Sequence, residues 1–327
     1  MRAALVGALI VLGAVAAIVW PRSGGKHEAS EPRAPRPRPA VSPVRLSASV
    51  AGNLSAPEQD AAVAAPGPAS TVLLGGLTAA DTSRPDIVLL RGAHERSHAT
   101  LPQPLHDAAA VAIGRSVYVF GGANVNQSDQ IFRFSPGTGK VVSAGKLPGP
   151  LSDIAAAAVG GTAYIVGGFD GSKASDRILA WQPGGTARTV ARLPHPLRYA
   201  AVAALGPVIY IAGGTSGNSA TRNLLAFDTR GGQVTKVSRL PHGTTHAAAA
   251  AFGCCVYVIG GRGIQPGTPT RRIFAFDPVH RHLQPGGRLP VALSDIGAVT
   301  QRRRILVFGG RGTSATVGTI VQLRPRT

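Results

Sequence analysis

The sequence predicts an all-β fold: a six-bladed propeller whose ring is closed by an N-terminal strand, preceded by an N-terminal hydrophobic helix. Three observations predict it. A short apolar run ends in two glycines six times, most clearly at Val117-Tyr118-Val119-Phe120-Gly121-Gly122. The first glycines stand at 75, 121, 167, 213, 260 and 309, so the spacing is 46, 46, 46, 47 and 49 residues, a period of solenoids, propellers and arrays. The two ends of the array are also complementary. The last unit runs out after a third strand ending near Leu323, while residues 44–54 precede the first unit and read as an orphan fourth strand. Pairing them closes the ring and removes two exposed sheet edges.

Composition agrees. The chain of 327 residues has 42 glycines, 26 prolines and 5% aromatics, which points to many short strands and turns rather than long helices. A repeat tiling most of the chain assigns residues 44–327 to one domain. With 34 Lys and Arg against 15 Asp and Glu, the formal charge is +19. Such a balance suits anionic partners, and an Arg- and Ala-rich composition without a dedicated partner produces it equally well.

Residues 3–20 form an uninterrupted apolar stretch of 18, preceded by Arg2 and followed by Pro21 and Arg22. As a helix it would cover about 27 Å of bilayer. It reads as an uncleaved membrane anchor within residues 1–20; the alternative is an export signal cut after Ala14-Val15-Ala16, leaving a secreted protein. More arginines follow the segment than precede it, which by charge alone would keep the domain in the cytoplasm, but that rule weakens for long translocated domains. The expected location is therefore the cell membrane, with one N-terminal anchor and the propeller outside the cytoplasm. Residues 21–43, rich in Pro and Arg, read as a linker: either a semi-rigid stalk leaning on an anionic surface or an unstructured connection.

Within each unit, Leu-Pro (Leu101-Pro102, Leu147-Pro148, Leu193-Pro194, Leu240-Pro241, Leu289-Pro290) is expected to be followed by a turn, since proline cannot continue a central ladder. An Ala-rich run follows, as at residues 155–159, and reads as an innermost strand where blades crowd at the axis and small side chains fit. A tight hairpin such as Gly114-Arg115 leads into the diglycine strand. Alternation there puts Tyr118, Tyr164, Tyr210 and Tyr257 at one equivalent, structural position. A third strand ends in a large apolar residue: Leu90, Phe134, Trp181, Phe227, Phe276 or Leu323.

This pattern resembles the kelch repeat, through the diglycine, the Tyr three positions before it and the period, over about residues 44–327. The resemblance implies four-stranded propeller blades. The tryptophan that kelch units often carry on the fourth strand is replaced here by Val141, Val234 or Leu283, so the outer layer should be less well filled.

Fourteen residues before each first glycine, fifteen in the first repeat, stands a polar residue: Asp60, Asp107, Asp153, Tyr199, His246 and Asp295. Around one axis these side chains could bind a cation or a polyhydroxylated ligand; alternatively each caps its own loop by accepting backbone N–H bonds. Tyr199, with neighbouring Arg198, and His246 are where a site would depart from scaffold. Loops after the diglycines carry Arg262, Arg271, Arg272 and Arg311, an anion-binding sector on variable loops or a solvated face. The only cysteines, Cys254 and Cys255, either form a vicinal disulfide or remain thiols, and too few ligands surround them for zinc.

No nucleophile elbow, phosphate loop, metal-binding His pair or nucleotide fingerprint is present, so no cofactor or metal is called for. The resulting expectation is a monomeric, non-catalytic binding or scaffolding module at the cell envelope that recognises a protein or envelope glycan through propeller-face loops. Nucleic acid is not favoured. The resemblance implies one enzymatic alternative, a sialic-acid mutarotase, in which Arg198, Tyr199, His246 and Arg272 would meet a sugar acid. Fold alone does not decide function.

Overall fold

A computed structural model describes residues 43–326. The expected anchor at residues 1–20 and the linker up to residue 42 lie outside the described residues. Among the described residues, no helix is long and apolar enough to cross a membrane.

The Ala-rich runs form the innermost strands: Ala62–Gly67, Ala109–Ile113, Ala155–Val159, Ala201–Leu205, Ala248–Phe252 and Gly297–Gln301. Each contacts the next, and Gly297–Gln301 contacts Ala62–Gly67, so the six strands form a closed cycle. That cycle is the hub of a β-propeller. Side chains at the hub are small because six strands converge there. Each inner strand pairs antiparallel with a diglycine strand, as in Ala155↔Val166 and Val159↔Thr162, and two further strands complete the unit outward.

The expectation of six separate blades needs correction. Four repeats form separate four-stranded sheets, whereas the fifth and sixth share one eight-stranded sheet. The N-terminal strand Leu46–Asn53 is the cause. It runs antiparallel along Thr319–Pro325, from Leu46↔Pro325 to Asn53↔Thr319, and its first residue also meets Gly287 in parallel. One short strand thus completes the last repeat and bridges it to the fifth.

A second correction concerns Leu-Pro. In His94–Leu105 and His282–Leu293 the strand continues through Pro102 and Pro290. These are outer strands, where a missing N–H on the free side costs no ladder bond. In every repeat that has the pair the leucine is buried, from Leu147 and Leu193 at 4% exposure to Leu240 and Leu289 at 0%.

Neighbouring sheets are joined by a repeated aromatic contact. Trp181 packs on Tyr118 with centroids 5.0 Å apart, Phe227 on Tyr164 at 5.6 Å and Phe276 on Tyr210 at 5.6 Å. In each pair the third strand of one repeat meets the diglycine strand of the repeat before it. Tilted pairs of this kind contribute about 1 kcal/mol beyond area burial. The fourth tyrosine of this position, Tyr257, packs with Leu323 and Leu46 and donates its hydroxyl to the Val44 carbonyl at 2.7 Å.

Candidate functional site

The six polar positions predicted at the channel mouth are joined by backbone. The N–H of Asp107 donates to Asp60, Asp153 to Asp107, Tyr199 to Asp153, His246 to Tyr199, Asp295 to His246 and Asp60 to Asp295, each bond to a main-chain carbonyl at 2.9 to 3.3 Å. The ring of bonds is closed. All six residues hold left-handed backbone conformations, with φ between 52° and 58°. Asp and His enter that region more readily than bulky or β-branched residues, so the acids have a backbone reason to be there. A bulky aromatic such as Tyr199 is the outlier. The loop-capping expectation is thereby corrected for Asp153 and Asp295: Asp153 accepts from the Arg198 side chain, and Asp295 from the Ser294 hydroxyl.

The side chains of the ring line a narrow cavity of about 130 Å³ on the axis. Above it opens a basin of about 410 Å³, lined by Asp60, Asp107, Tyr199, His246 and Asp295 together with Gln59, Asp81, His106, Arg262 and Arg311. Burial, reinforced by neighbouring carboxyls, holds Asp60 and Asp107 well above the ordinary carboxylate range. Burial also raises Asp295, while the Ser294 hydroxyl and the Arg262 guanidinium pull it back. Crowding carboxyls around one axis in a confined space favours their neutral forms.

One sector of the ring differs. Tyr199 and His246 stack with centroids 3.8 Å apart. The Arg198 guanidinium lies over Phe169, 4.2 Å from its centroid, and pairs with Asp153. Arg262 sits 3.1 Å from His246 Nε2. Since a guanidinium only donates, Nε2 accepts and the proton of the neutral ring sits on Nδ1. Nδ1–H then faces Thr245 Oγ1 at 3.0 Å, and Thr245 meets Thr215 at 2.8 Å. Burial and the two guanidiniums push the His246 pKa down to about 3, so the imidazole is neutral even though Asp295 Oδ1 stands 3.8 Å away.

Of the residues singled out in the sequence, Asp107, Asp153, Tyr199, His246 and Asp295 share the axial cavity. Arg198 flanks it through Asp153, and Arg262 and Arg311 line the basin. Arg272 is apart from both cavities: it lies exposed on the strand Thr270–Asp277, opposite Arg288. Arg271 is committed to the Leu289 carbonyl at 2.7 Å. The expected cluster of four arginines therefore reduces to two, and Arg311 faces Asp81 at 3.4 Å. Cys254 and Cys255 are joined in a vicinal disulfide at a hairpin turn. Among the described residues, no group of three or more His, Cys, Asp or Glu side chains is arranged to hold a metal ion.

Phe169, His106, Gln59, Asp81 and Thr245 escaped the sequence reading. A signal for four of them existed. The residue before each ring position pairs with the residue after each diglycine, as in His106↔Ala123, Ser152↔Phe169 and Thr245↔Arg262, so both offsets mark a second tier around the axis.

Comparison with known proteins agrees with this architecture. Residues 196–241 match the Kelch motif model, a stretch that includes Arg198 and Tyr199. Among solved structures, the chain is similar to the one described as "Structure of YjhT", with a TM-score of 0.73 and 16% identity over 83% of this chain and 95% of that chain. No curated protein matches the sequence. In fold the chain is a kelch-type β-propeller, with a kelch motif in the repeat that carries the most divergent part of its axial ring.

Proposed function

We propose that the protein is a binding module that holds a hydroxylated ligand, foremost a glycan of the cell envelope, in the basin above the axial ring. One observation carries this reading: the basin of about 410 Å³ mixes carboxyls, a phenol, imidazoles and guanidiniums within one enclosure. That volume lies in the range of small-ligand pockets. Protonated Asp60 and Asp107 can each donate and accept, as sugar hydroxyls require. Arg262 and Arg311 would favour an acidic substituent. The propeller is read as exported and held at the membrane by residues 3–20, supported by the apolar run and by a disulfide suited to an oxidising compartment.

A second reading, exchange of sugar anomers of the mutarotase type, is favoured by a carboxyl held protonated at Asp107, a candidate general acid in a basin whose guanidiniums suit an acidic sugar. The test uses full-length protein and a panel of neutral and acidic sugars, followed by calorimetry and by NMR of anomer exchange. Binding without turnover, lost when Arg198, Tyr199 and His246 are replaced together by alanine in a protein that still melts cooperatively, is the expected result. Catalysed exchange of any acidic sugar selects the enzymatic reading. Absence of both sinks the basin as a site.

A further inference from the structure

The face opposite the basin carries the hairpins between inner and diglycine strands, and it differs chemically from the ring face. Between the hairpins of the sixth and first repeats lies a groove of about 970 Å³ lined by Arg302, Arg303, Arg304 and Arg324, with Gln301, Pro68, Ala69 and Pro325. Among the described residues, no carboxylate lines it. A second groove of about 400 Å³ beside the first repeat is lined by Arg91, Arg96 and Arg115, again with no carboxylate among the described residues. Arg304 connects the two, its Nη2 lying against Gly92 of the outer hairpin. Its only side-chain partner among the described residues is the neutral Gln322 Oε1 at 3.1 Å. Burial and the neighbouring Arg324 hold its guanidinium below the ordinary arginine range, since desolvation and a like charge both disfavour the charged form.

The charge is placed at some conformational cost. Arg302 occupies the first turn position of its hairpin with φ 46°, where the corresponding residues of four other repeats are Gly114, Gly160, Gly206 and Gly253. A side chain kept in a left-handed turn that glycine fits better points to a use for that side chain.

Both ends of the domain emerge on this face. Leu46 pairs with Pro325, and the Arg326 N–H donates to the Arg45 carbonyl at 2.8 Å. The apolar run ends at Trp20, 23 positions before Pro43, a connection that in polyproline geometry would span roughly 70 Å. We propose that this arginine-lined hairpin face docks on the phosphate headgroups of an anionic membrane, leaving the ring face and its basin turned outward. The proposal rests on the N-terminal anchor proposed above. Guanidiniums suit the task because their forked donors match phosphate oxygens, and basic residues held near an anionic leaflet add their attraction nearly singly.

The test places full-length protein in nanodiscs of phosphatidylcholine, with and without about 30% phosphatidylglycerol, and follows hydrogen exchange of the backbone around Arg302 and Arg303. Slower exchange at this hairpin, at least tenfold, in the anionic discs only, reversed by high salt, is expected. The variant Arg302→Gly with Arg303→Gln should abolish the protection while melting no lower than the parent, because glycine relieves the turn. Equal exchange in both kinds of disc, or protection that survives the variant, overturns the proposal. Protection by inorganic phosphate or glycerol phosphate in neutral discs, without further effect of anionic lipid, assigns the groove to a soluble phosphate ligand and also overturns it. Failure of the anchor is read separately, as protein washed from phosphatidylcholine discs by high salt.

Discussion

His246 lies on Tyr199 with ring centroids 3.8 Å apart and planes 24° from parallel, at the point where the axial ring stops being a ring of carboxyls. The stack is clamped between two guanidiniums, Arg262 on the imidazole and Arg198 on the phenol at 3.3 Å. Neutral aromatic rings fill this sector because a protonated imidazole would face two fixed cations.

That arrangement has a pH signature. The folded ring takes up its proton only near pH 3, while an unfolded histidine does so near 6.5. Its contribution to stability is complete above pH 6.5 and is lost as pH falls toward 3. The gap corresponds to no more than roughly 5 kcal/mol. His246→Gln should therefore lose stability relative to the parent at pH 7 but regain most of the difference at pH 4, as read from urea midpoints at each pH. A constant difference would contradict the neutral imidazole.

Glu58 should show the opposite dependence. Its carboxyl is buried at 3% exposure, with Arg84 3.8 Å away and Oε1 unpartnered. Burial, only partly opposed by Arg84, lifts its pKa to about 7. The folded chain keeps this proton after the unfolded chain has released it, so stability declines as pH rises from about 4.5 to 7. Glu58→Gln is expected to match the parent at pH 4.5 and to exceed it at pH 8 by up to roughly 3 kcal/mol, measured by urea unfolding.

The diglycines and the hairpin glycines can be told apart by one substitution each. A Cβ on Gly167 would overlap the Leu197 carbonyl, at φ 66°. At Gly160 the backbone is also left-handed, φ 55°, but nothing lies within 4 Å. Gly160→Ala should cost about 1 kcal/mol. Gly167→Ala must also displace backbone and should cost more than about 3 kcal/mol. Equal thermal shifts would remove the steric role of the diglycine.

The N-terminal strand should act as a closing element. Leu46 is 4% exposed and packs with residues of the fifth and sixth repeats. Leu46→Ala is expected to cost about 2–4 kcal/mol, and deletion of residues 44–54 should lower or abolish the cooperative melting of the whole domain. Unchanged calorimetric melting after the deletion would sink the closure.

The repeat was legible because its signals are local. The diglycine, the Ala-rich run and the Tyr three residues before the glycines recur at fixed offsets, and Tyr118, Tyr210 and Tyr257 are buried accordingly. The ring positions were legible for the same reason. What they do there was not, since Asp60 and Asp295 are 235 positions apart and become hydrogen-bonded neighbours only when the ring closes. That Arg272 stands apart from the basin was not legible, because a loop arginine and a strand arginine look alike in sequence, and only the strand Thr270–Asp277 decides which this is.

The sequence by itself determined the number of repeats, the small side chains at the hub and the strand that joins the ends, all properties of periodicity along the chain. Tertiary structure alone decided that the fifth and sixth units share a sheet, that the acids meet in a confined space and hold their protons, that Arg198 and Arg262 bracket the Tyr199–His246 stack, and that four arginines of the sixth repeat line one groove beside the first repeat on the hairpin face. Those are properties of distance and burial, which closing the ring creates between residues far apart in the chain.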